Sequence, residues 1–343
     1  MPKFSGRRLE RVQSSRQFRG GRFVNSGPMR RPMEGSSFSL MRDLLFGGKK
    51  RSPKKPLPVE SPVSAWSSAP KTGLRITWLG HSSLFIECDG VRILTDPVFG
   101  KHASPVSFAG RKRFHPVPAT LEEMQPIDAV LLSHDHYDHL CKPTVRKLAK
   151  LGIPFVTSLG VGAWLEEFGV DPAKITELDW WESHTLPGGV MTLTATPAQH
   201  FSGRGLTDRN VTLWSSWVLR TDRHKVFYSA DTGLNDDLRV IGEKFGPFDV
   251  TMLEIGASHP AWADIHLGPA NALRALEMLG GGTLLPIHWG TFDLALHSWE
   301  EPAETLVTLA AKSGARVITP PLGRPVEPTI AEGPTPWWRD VDR

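Results

Sequence analysis

Short apolar runs separated by turn residues dominate the chain from about residue 74 onward. Two of these runs flank Asp89-Gly90, a dipeptide typical of a tight hairpin, so we expect Leu84–Cys88 and Val91–Leu94 to pair as antiparallel strands. The other apolar or alternating runs predict strands at Leu74–Leu79, Ala129–Ser133, Phe155–Ser158, Val190–Thr196, Thr212–Arg220, Lys225–Ala230, Asp249–Ile255, Thr283–Ile287 and Arg316–Thr319.

Segments with apolar positions at helical spacing lie between several of these strands. They predict helices at Lys142–Leu151, Val161–Phe168, Pro269–Leu279 and Glu301–Lys312. Because antiparallel hairpins alternate with strand–helix units, we expect an α/β protein in which two sheets pack together and helices cover the outside.

The first 73 residues follow a different pattern. Residues 1–35 are rich in Arg, Ser and Gly and have almost no apolar periodicity, and we interpret them as mobile. Residues 52–72 are rich in Pro, Ser and Ala, a composition typical of a linker. We therefore divide the chain into a basic flexible tail and linker at 1–73 and a folded domain at 74–343.

A short apolar stretch at residues 36–47 is compatible with a capped helix, and basic residues follow it. An apolar helix beside a basic cluster suits an anionic membrane surface, so peripheral membrane contact through residues 36–55 is one interpretation. A helix docked on the domain, or a solvated arm, is the other. Arg42 and Asp43 interrupt the stretch, so we expect a cytoplasmic protein with no cleaved signal peptide and no transmembrane helix.

The composition is that of a globular chain, since 40% of the 343 residues are hydrophobic and 22% are charged. The net charge of +4 hides an asymmetry. Residues 1–55 hold 15 Lys and Arg against 3 Asp and Glu, whereas the remaining 288 residues hold 25 against 33. The acidic domain lacks the basic track that nucleic acid requires, so we expect no nucleic-acid partner. Two cysteines are too few for a disulfide framework or a cysteine-based zinc site.

The strongest chemical signal is a run of histidines and aspartates directly after the predicted strand Ala129–Ser133. The run contains His134, His136, Asp138 and His139. Neutral imidazole and carboxylate groups are ligands for zinc, iron or manganese. So many titratable groups would not be buried together without a charge to pair them. The sequence therefore predicts a metal site at the end of this strand.

The run also matches the pattern His-x-His-x-Asp-His and resembles the metallo-β-lactamase superfamily of hydrolases. That superfamily has a later His, a later Asp and a final His, each after a strand, and this chain offers His200, Asp231 and His288 at such places. The resemblance implies a four-layer αββα sandwich with two divalent ions, zinc by preference and manganese or iron as alternatives. The implied ligands are His134, His136 and His200 for one ion, Asp138, His139 and His288 for the other, and Asp231 as a bridge.

The implied chemistry is hydrolysis. A metal lowers the pKa of bound water from 15.7 to about 7, so a hydroxide would attack an ester, amide or phosphate. Asp138 and Asp231 then belong to the catalytic centre as ligands. The resemblance narrows further at Gly80-His81-Ser82-Ser83, at Asp96-Pro97 and at Ile287-His288-Trp289-Gly290, which are similar to the branch containing N-acyl-phosphatidylethanolamine-hydrolysing phospholipase D.

That narrower resemblance covers about residues 74–320 and implies a lipid phosphodiester as substrate. The branch also contains lactone hydrolases, so a lactonase or another ester or amide hydrolase on the same metal site stays an alternative. A metal-binding module without enzymatic activity is the remaining alternative, and the complete ligand set speaks against it. The sequence predicts neither the native substrate nor the oligomeric state.

Further residues are expected near the metals. His266 precedes a predicted helix, and the resemblance implies that a His at this place contacts the substrate phosphate as a catalytic residue. Asp96 either accepts a hydrogen bond from a ligand imidazole or forms the turn before Pro97. The residues predicted with less support to line the site are His81, Tyr137, Phe201 and Trp289.

Overall fold

A computed structural model describes residues 3–29, 50–106, 108–257 and 264–341. The helices are Gly6–Ser14, Val63–Trp66, Lys142–Lys150, Gly162–Glu167, Asp237–Phe245, Gly268–Met278 and Glu301–Ser313, with 3-10 turns at Pro172–Lys174 and Trp337–Asp340. The strands are β1 (Phe18–Arg19), β2 (Arg22–Phe23), β3 (Leu74–Gly80), β4 (Ser83–Cys88), β5 (Val91–Thr95), β6 (His102–Ala103), β7 (Arg111–Lys112), β8 (Ala129–Leu132), β9 (Phe155–Ser158), β10 (Ile175–Leu178), β11 (Ser183–Thr185), β12 (Thr192–Thr196), β13 (Ser216–Arg220), β14 (Lys225–Tyr228), β15 (Val250–Glu254), β16 (Thr283–Ile287) and β17 (Pro325–Val326).

Two large mixed sheets form the centre of the fold. The first has the strand order β10-β9-β8-β5-β4-β3-β17, and the second has the order β11-β12-β13-β14-β15-β16. In the first sheet β5, β8, β9 and β10 run parallel, and in the second β14, β15 and β16 do. The carboxyl ends of these parallel strands therefore lie along one edge of each sheet.

The central strands are apolar throughout because both of their faces are covered. In β8, Ala129 and Leu131 belong to the core between the two sheets, whereas Val130 and Leu132 belong to a second core beneath the outer helices. Successive side chains of a strand point to opposite faces, so a strand covered on both sides reads as one continuous apolar run.

Helices cover the outer face of each sheet. Helices Lys142–Lys150 and Gly162–Glu167 pack on the first sheet through Val145, Leu148 and Leu165. The second sheet carries the three helices Asp237–Phe245, Gly268–Met278 and Glu301–Ser313, whose apolar faces join the central core. These layers form an αββα sandwich, which confirms the fold class predicted from the sequence.

Strand assignments differ from prediction at the edges of the sheets. The hairpin at Asp89-Gly90 forms as expected, with Cys88 opposite Val91. The predicted strand Arg316–Thr319 is reduced to an isolated bridge between Val317 and Leu284, and the strand that closes the first sheet is β17 instead. Both β10 and β11 were missed because these edge strands are short and carry polar residues.

The prediction of a mobile tail is wrong for residues 3–29. Val12 and Phe23 are fully buried there, and they pack with Leu213 and Trp214 of the domain. The expected linker also packs, since Val59 bridges to Leu322 and Trp66 lies against Phe85. The composition of these segments predicted flexibility, but a few apolar residues and long-range ion pairs anchor them to the domain.

The predicted helix at 36–47 lies outside the described residues, so membrane contact through residues 36–55 stays a prediction. Within the described ranges, no helix combines the length and apolar character needed to cross a bilayer.

Candidate metal centre

Seven strands place side chains at one edge of the sandwich, six of them from the loop that follows the strand and β15 from its last residue. Positive φ angles at His81 (54°), Asp96 (32°), Ala230 (48°) and His288 (63°) show that these loops turn sharply. Such backbone costs energy and persists where surrounding contacts fix it, often at functional sites. The residues gathered at this edge are His81 after β3, Asp96 after β5, His134, His136, Asp138 and His139 after β8, His200 after β12, Asp231 after β14, Glu254 at the end of β15 and His288 after β16.

One group of donors consists of His134, His136, His200 and Asp231, whose ligand atoms all lie within 4.8 Å of one another. The Nδ1 atom of His136 is 2.9 Å from Nε2 of His134 and 3.2 Å from Nε2 of His200. Asp231 Oδ2 is 3.6 Å from Nε2 of His200. This spacing leaves one common point that all four side chains face.

A second group consists of Asp138, His139, His288 and also His81, again within 4.8 Å. Asp138 Oδ2 lies 3.1 Å from Nε2 of His81 and 3.6 Å from Nε2 of His288. Asp231 also reaches this group, with its Oδ1 3.1 Å from Nε2 of His139 and its Oδ2 3.2 Å from Nε2 of His288. Asp231 therefore stands between the two groups.

The donor atoms fit divalent cations better than they fit one another. His139 Nε2, His288 Nε2 and Asp231 Oδ1 are buried without a hydrogen-bond partner, although the first and last are 3.1 Å apart. Buried polar atoms are normally paired, so this convergence calls for a positive charge between them. Neutral imidazoles and carboxylates are donors that zinc and similar divalent ions accept.

The charges of the site support the same conclusion. Burial lowers the pKa of His134 and His200 well below the usual range, which keeps these imidazoles in the neutral form that binds metal. Burial alone would also lower the pKa of His139, but attraction to Asp231 and Asp138 outweighs it and raises that pKa well above normal. The two buried carboxylates therefore favour positive charge at this place.

Asp96 sits behind the second group of donors. Its Oδ2 accepts hydrogen bonds from Nδ1 of His139 at 2.7 Å and from the hydroxyl of Tyr228 at 2.6 Å. Its Oδ1 accepts the main-chain N–H of Ser133 at 2.8 Å. Since Nδ1 of His139 donates to Asp96, Nε2 is left to face the metal site, which is the role expected of a carboxylate behind a ligand.

His266 lies beside both groups and outside both predicted ligand sets, although it forms a further set of possible ligand atoms with Asp231 and His288, all within 4.8 Å of one another. Its ring centroid is 5.2 Å from that of His200 and 5.1 Å from that of His288. Its Nδ1 is 3.1 and 3.0 Å from the two carboxylate oxygens of Glu254, which is fully buried. Glu254 was missed as a functional residue, although a charged residue at the end of an apolar strand is a recognisable signal.

Phe201 and Tyr137, both predicted near the site, take different positions in the structure. The ring of Phe201 is 4.4 Å from that of His136 and 4.9 Å from that of His200. Tyr137 points outward: its hydroxyl donates to the carbonyl of Arg204 at 2.7 Å, and the Arg204 guanidinium lies 4.0 Å from its ring centroid.

Trp289 packs mainly into the core, although it also lines a small cavity together with His81 and His288. Its side chain is 3% exposed and stacks on Trp78 with ring centroids 5.1 Å apart, while Trp337 and Trp338 pack against it. The chain reverses after His288, so the next side chain enters the core instead of joining the ligands.

A cavity of about 750 Å³ opens on the outer side of Tyr137. Aromatic and apolar side chains form part of its wall, and both basic side chains and the acidic Glu167 and Asp208 line it. Its lining includes Tyr137, Leu140, Trp164, Phe168, Lys101, Lys142, Arg146 and Arg204. Phe108 lies on a bordering loop and is 82% exposed.

Comparison with known proteins identifies the family. A family model described as a β-lactamase superfamily domain matches residues 91–289, which include both donor groups apart from His81. The chain belongs to this superfamily. The resemblance inferred from the run of histidines and aspartates is therefore confirmed.

Two relatives show how much of this chain is similar to other proteins. An uncharacterised protein of Mycobacterium tuberculosis is 41% identical over 339 residues, covering 95% of this chain and 88% of that protein. The N-acyl-phosphatidylethanolamine-hydrolyzing phospholipase D 1 of Caenorhabditis elegans is 36% identical over 264 residues, covering 74% of each chain. A metallo hydrolase from Ignicoccus hospitalis has a similar fold, with a TM-score of 0.56 at 23% identity, covering 74% of this chain and 97% of that one.

Proposed function

We propose that this metal-dependent hydrolase is a phosphodiesterase of the phospholipase D type, acting on N-acyl-phosphatidylethanolamine or a related lipid. The observation that carries the proposal is the pair of donor groups sharing Asp231, with His266 beside them and outside both. The substrate class is supported by the 36% identity to the Caenorhabditis elegans phospholipase D.

Two ions would be held by separate residues. His134, His136 and His200 would bind one, Asp138, His139 and His288 the other, and Asp231 both. Such ions, zinc by preference and manganese or iron as alternatives, would supply Lewis acidity toward phosphate oxygens and toward water. His81 contacts Asp138 and would orient this carboxylate, since burial lowers the pKa of His81 to about 3 and keeps its ring neutral.

His266 is placed to handle a proton on the substrate. Because its Nδ1 faces Glu254, its Nε2 is the ring nitrogen available to substrate. In the proposed reaction a water oxygen forms a bond to phosphorus, and the bond from phosphorus to the ethanolamine oxygen breaks. His266 would donate a proton to that leaving oxygen or a hydrogen bond to the phosphate. The products are phosphatidic acid and N-acylethanolamine.

The cavity beside Tyr137 suits the organic part of such a lipid. Trp164 and Phe168 provide apolar wall, and Lys142 and Arg146 provide positive charge for a lipid phosphate surface. The exposed Phe108 borders the cavity and would contact acyl chains at a membrane. Peripheral membrane contact through residues 36–55 forms part of the same proposal.

The test is hydrolysis of a panel of N-acyl-phosphatidylethanolamine, lactones and β-lactams by the purified, metal-loaded protein in heavy-oxygen water. We expect phosphatidic acid carrying the heavy oxygen, because water attacks phosphorus, and unlabelled N-acylethanolamine. Turnover of lactones alone would overturn the substrate assignment. A folded His136→Ala variant that kept every activity would instead support a metal-independent role. As a matched comparison, His266→Ala should lose turnover and keep its metal.

A further inference from the structure

The segment of residues 3–29, here called the N-terminal segment, reaches the metal centre at Asn25. The side-chain amide of Asn25 makes two hydrogen bonds to the main chain of His200. Its Nδ2 donates to the His200 carbonyl at 2.8 Å, and its Oδ1 accepts the His200 N–H at 3.0 Å. An asparagine can match both main-chain groups in this way because it carries one donor and one acceptor side by side.

This contact satisfies main-chain groups that the fold leaves open. His200 is 1% exposed and follows the end of β12, so no neighbouring strand pairs with it. Among the described residues, Asn25 provides the hydrogen bonds of both its N–H and its C=O. Buried main-chain groups without a partner are costly, so the loop depends on Asn25 for its position.

The ring of His200 is fixed separately. Its Nδ1 donates to the carbonyl of Ile265 at 3.0 Å, which leaves Nε2 facing His136 and Asp231. The ring contact sets which nitrogen binds metal, and the Asn25 contact sets where that nitrogen lies. Both are needed for a ligand to hold its place.

Asn25 is itself positioned by the body of the domain. Trp214 Nε1 donates to Asn25 Oδ1 at 3.2 Å. Two residues earlier, Phe23 is fully buried, and its N–H donates to the carbonyl of Asn210 at 2.8 Å while its carbonyl accepts from Asn210 Nδ2 at 3.2 Å. The amide of Asn25 is therefore held in place by contacts that do not involve His200.

The start of the segment is anchored on β10 and on the helix Gly162–Glu167. Arg8 lies 2.6 Å from Glu177 and 2.6 Å from Glu166, and Arg11 donates to the carbonyl of Glu177 at 2.6 Å. These ion pairs and the buried Val12 bind the helix Gly6–Ser14 to the domain. The segment thus connects an anchored helix to a metal ligand.

We propose that the N-terminal segment is a component of the metal centre, with Asn25 as the positioning residue that holds His200. The consequence is specific: Asn25 sets the affinity for the ion bound by His134, His136 and His200. The other ion, bound by Asp138, His139 and His288, does not depend on it directly. This inference rests on the proposed metal centre.

Three full-length variants test it. Asn25→Ala removes both hydrogen bonds. Asn25→Asp keeps the volume and the acceptor but places a carboxylate oxygen against the His200 carbonyl. Ser26→Ala is the matched control, because this neighbouring hydroxyl donates to Asp237 and makes no contact with His200. Each zinc-loaded protein is dialysed against a graded series of chelator concentrations, the zinc retained per chain is measured, and thermal unfolding of the metal-free form is recorded.

We expect both Asn25 variants to lose one of two zinc ions at a chelator concentration at least tenfold lower than the wild type does. In both Asn25 variants the second ion should be lost at the same chelator concentration as in the wild type. The Ser26→Ala protein should lose both ions at wild-type concentrations. Zinc retention within twofold of wild type in both Asn25 variants would overturn the inference. So would normal retention in Asn25→Asp alone, since that result means that the hydrogen bond from Asn25 to the His200 carbonyl does not hold the ligand. A wild-type protein that retained no zinc would instead refute the metal centre itself.

Discussion

Replacing Asp96 by Asn separates the two roles that the sequence left open for this residue. Asn tolerates the positive φ of 32° at this position and forms the same turns as Asp. A role in the turn before Pro97 would therefore survive the substitution. The negative charge of the carboxylate and one of its two acceptor oxygens would be lost.

The size of the effect follows from the contacts of Asp96, which is fully buried. Its carboxylate accepts four hydrogen bonds, from the N–H and hydroxyl of Ser133, from His139 and from Tyr228. An amide group facing the Ser133 N–H loses one charge-assisted bond and leaves a buried donor unpaired, which costs about 2–4 kcal/mol. Since the oxygen that still accepts from Nδ1 of His139 no longer carries charge, zinc affinity should fall about 10- to 100-fold.

The assay is chemical unfolding of the metal-free Asp96→Asn protein together with zinc retention against a graded chelator. Asp128→Asn is a suitable control, because Asp128 accepts the N–H of Arg92 at 2.7 Å before the start of β8, away from the site. We expect the control to lose less than about 1 kcal/mol and no zinc affinity. Wild-type stability and zinc affinity in Asp96→Asn would refute the reasoning and leave Asp96 as a turn residue.

Three further substitutions have distinct expected outcomes. A Cβ atom at Gly256 would lie 1.8 Å from the His288 carbonyl oxygen, so Gly256→Ala should displace that ligand and reduce zinc retention at least tenfold, and unchanged retention would contradict the close approach. Glu87→Gln should lower the free energy of unfolding in urea by about 3–5 kcal/mol without loss of zinc, because the buried Arg75 loses its carboxylate partner. A decrease below about 1 kcal/mol would contradict a stabilising role for this ion pair. Trp289→Phe should lower the melting temperature but leave KM unchanged, and a raised KM would return Trp289 to the substrate site.

The sequence predicts the metal-binding edge because its signal is local. His134, His136, Asp138 and His139 lie within one loop, and the remaining predicted ligands each follow an apolar strand. Strands that are apolar on both faces must be covered on both faces, and two packed sheets with helices outside achieve this. The ends of the strands then meet at one edge.

Contacts between distant parts of the chain could not be read in the same way. The ion pairs of Arg8 and the hydrogen bonds from Asn25 to His200 join positions more than 150 residues apart, and the composition of the N-terminal segment resembles that of a disordered tail. Adjacency to a ligand was also an unreliable guide. Phe201 faces the site beside His200, whereas Trp289 turns into the core because the chain reverses at His288.

We propose that two groups of donors sharing Asp231 hold two ions that perform hydrolysis. The most direct measurement is anomalous X-ray scattering from crystals of zinc-loaded protein, recorded at and below the zinc absorption edge. We predict two anomalous peaks, one among His134, His136 and His200 and one among Asp138, His139 and His288, with Asp231 between them. Crystals of fully active protein with no anomalous peak at either group would contradict the account.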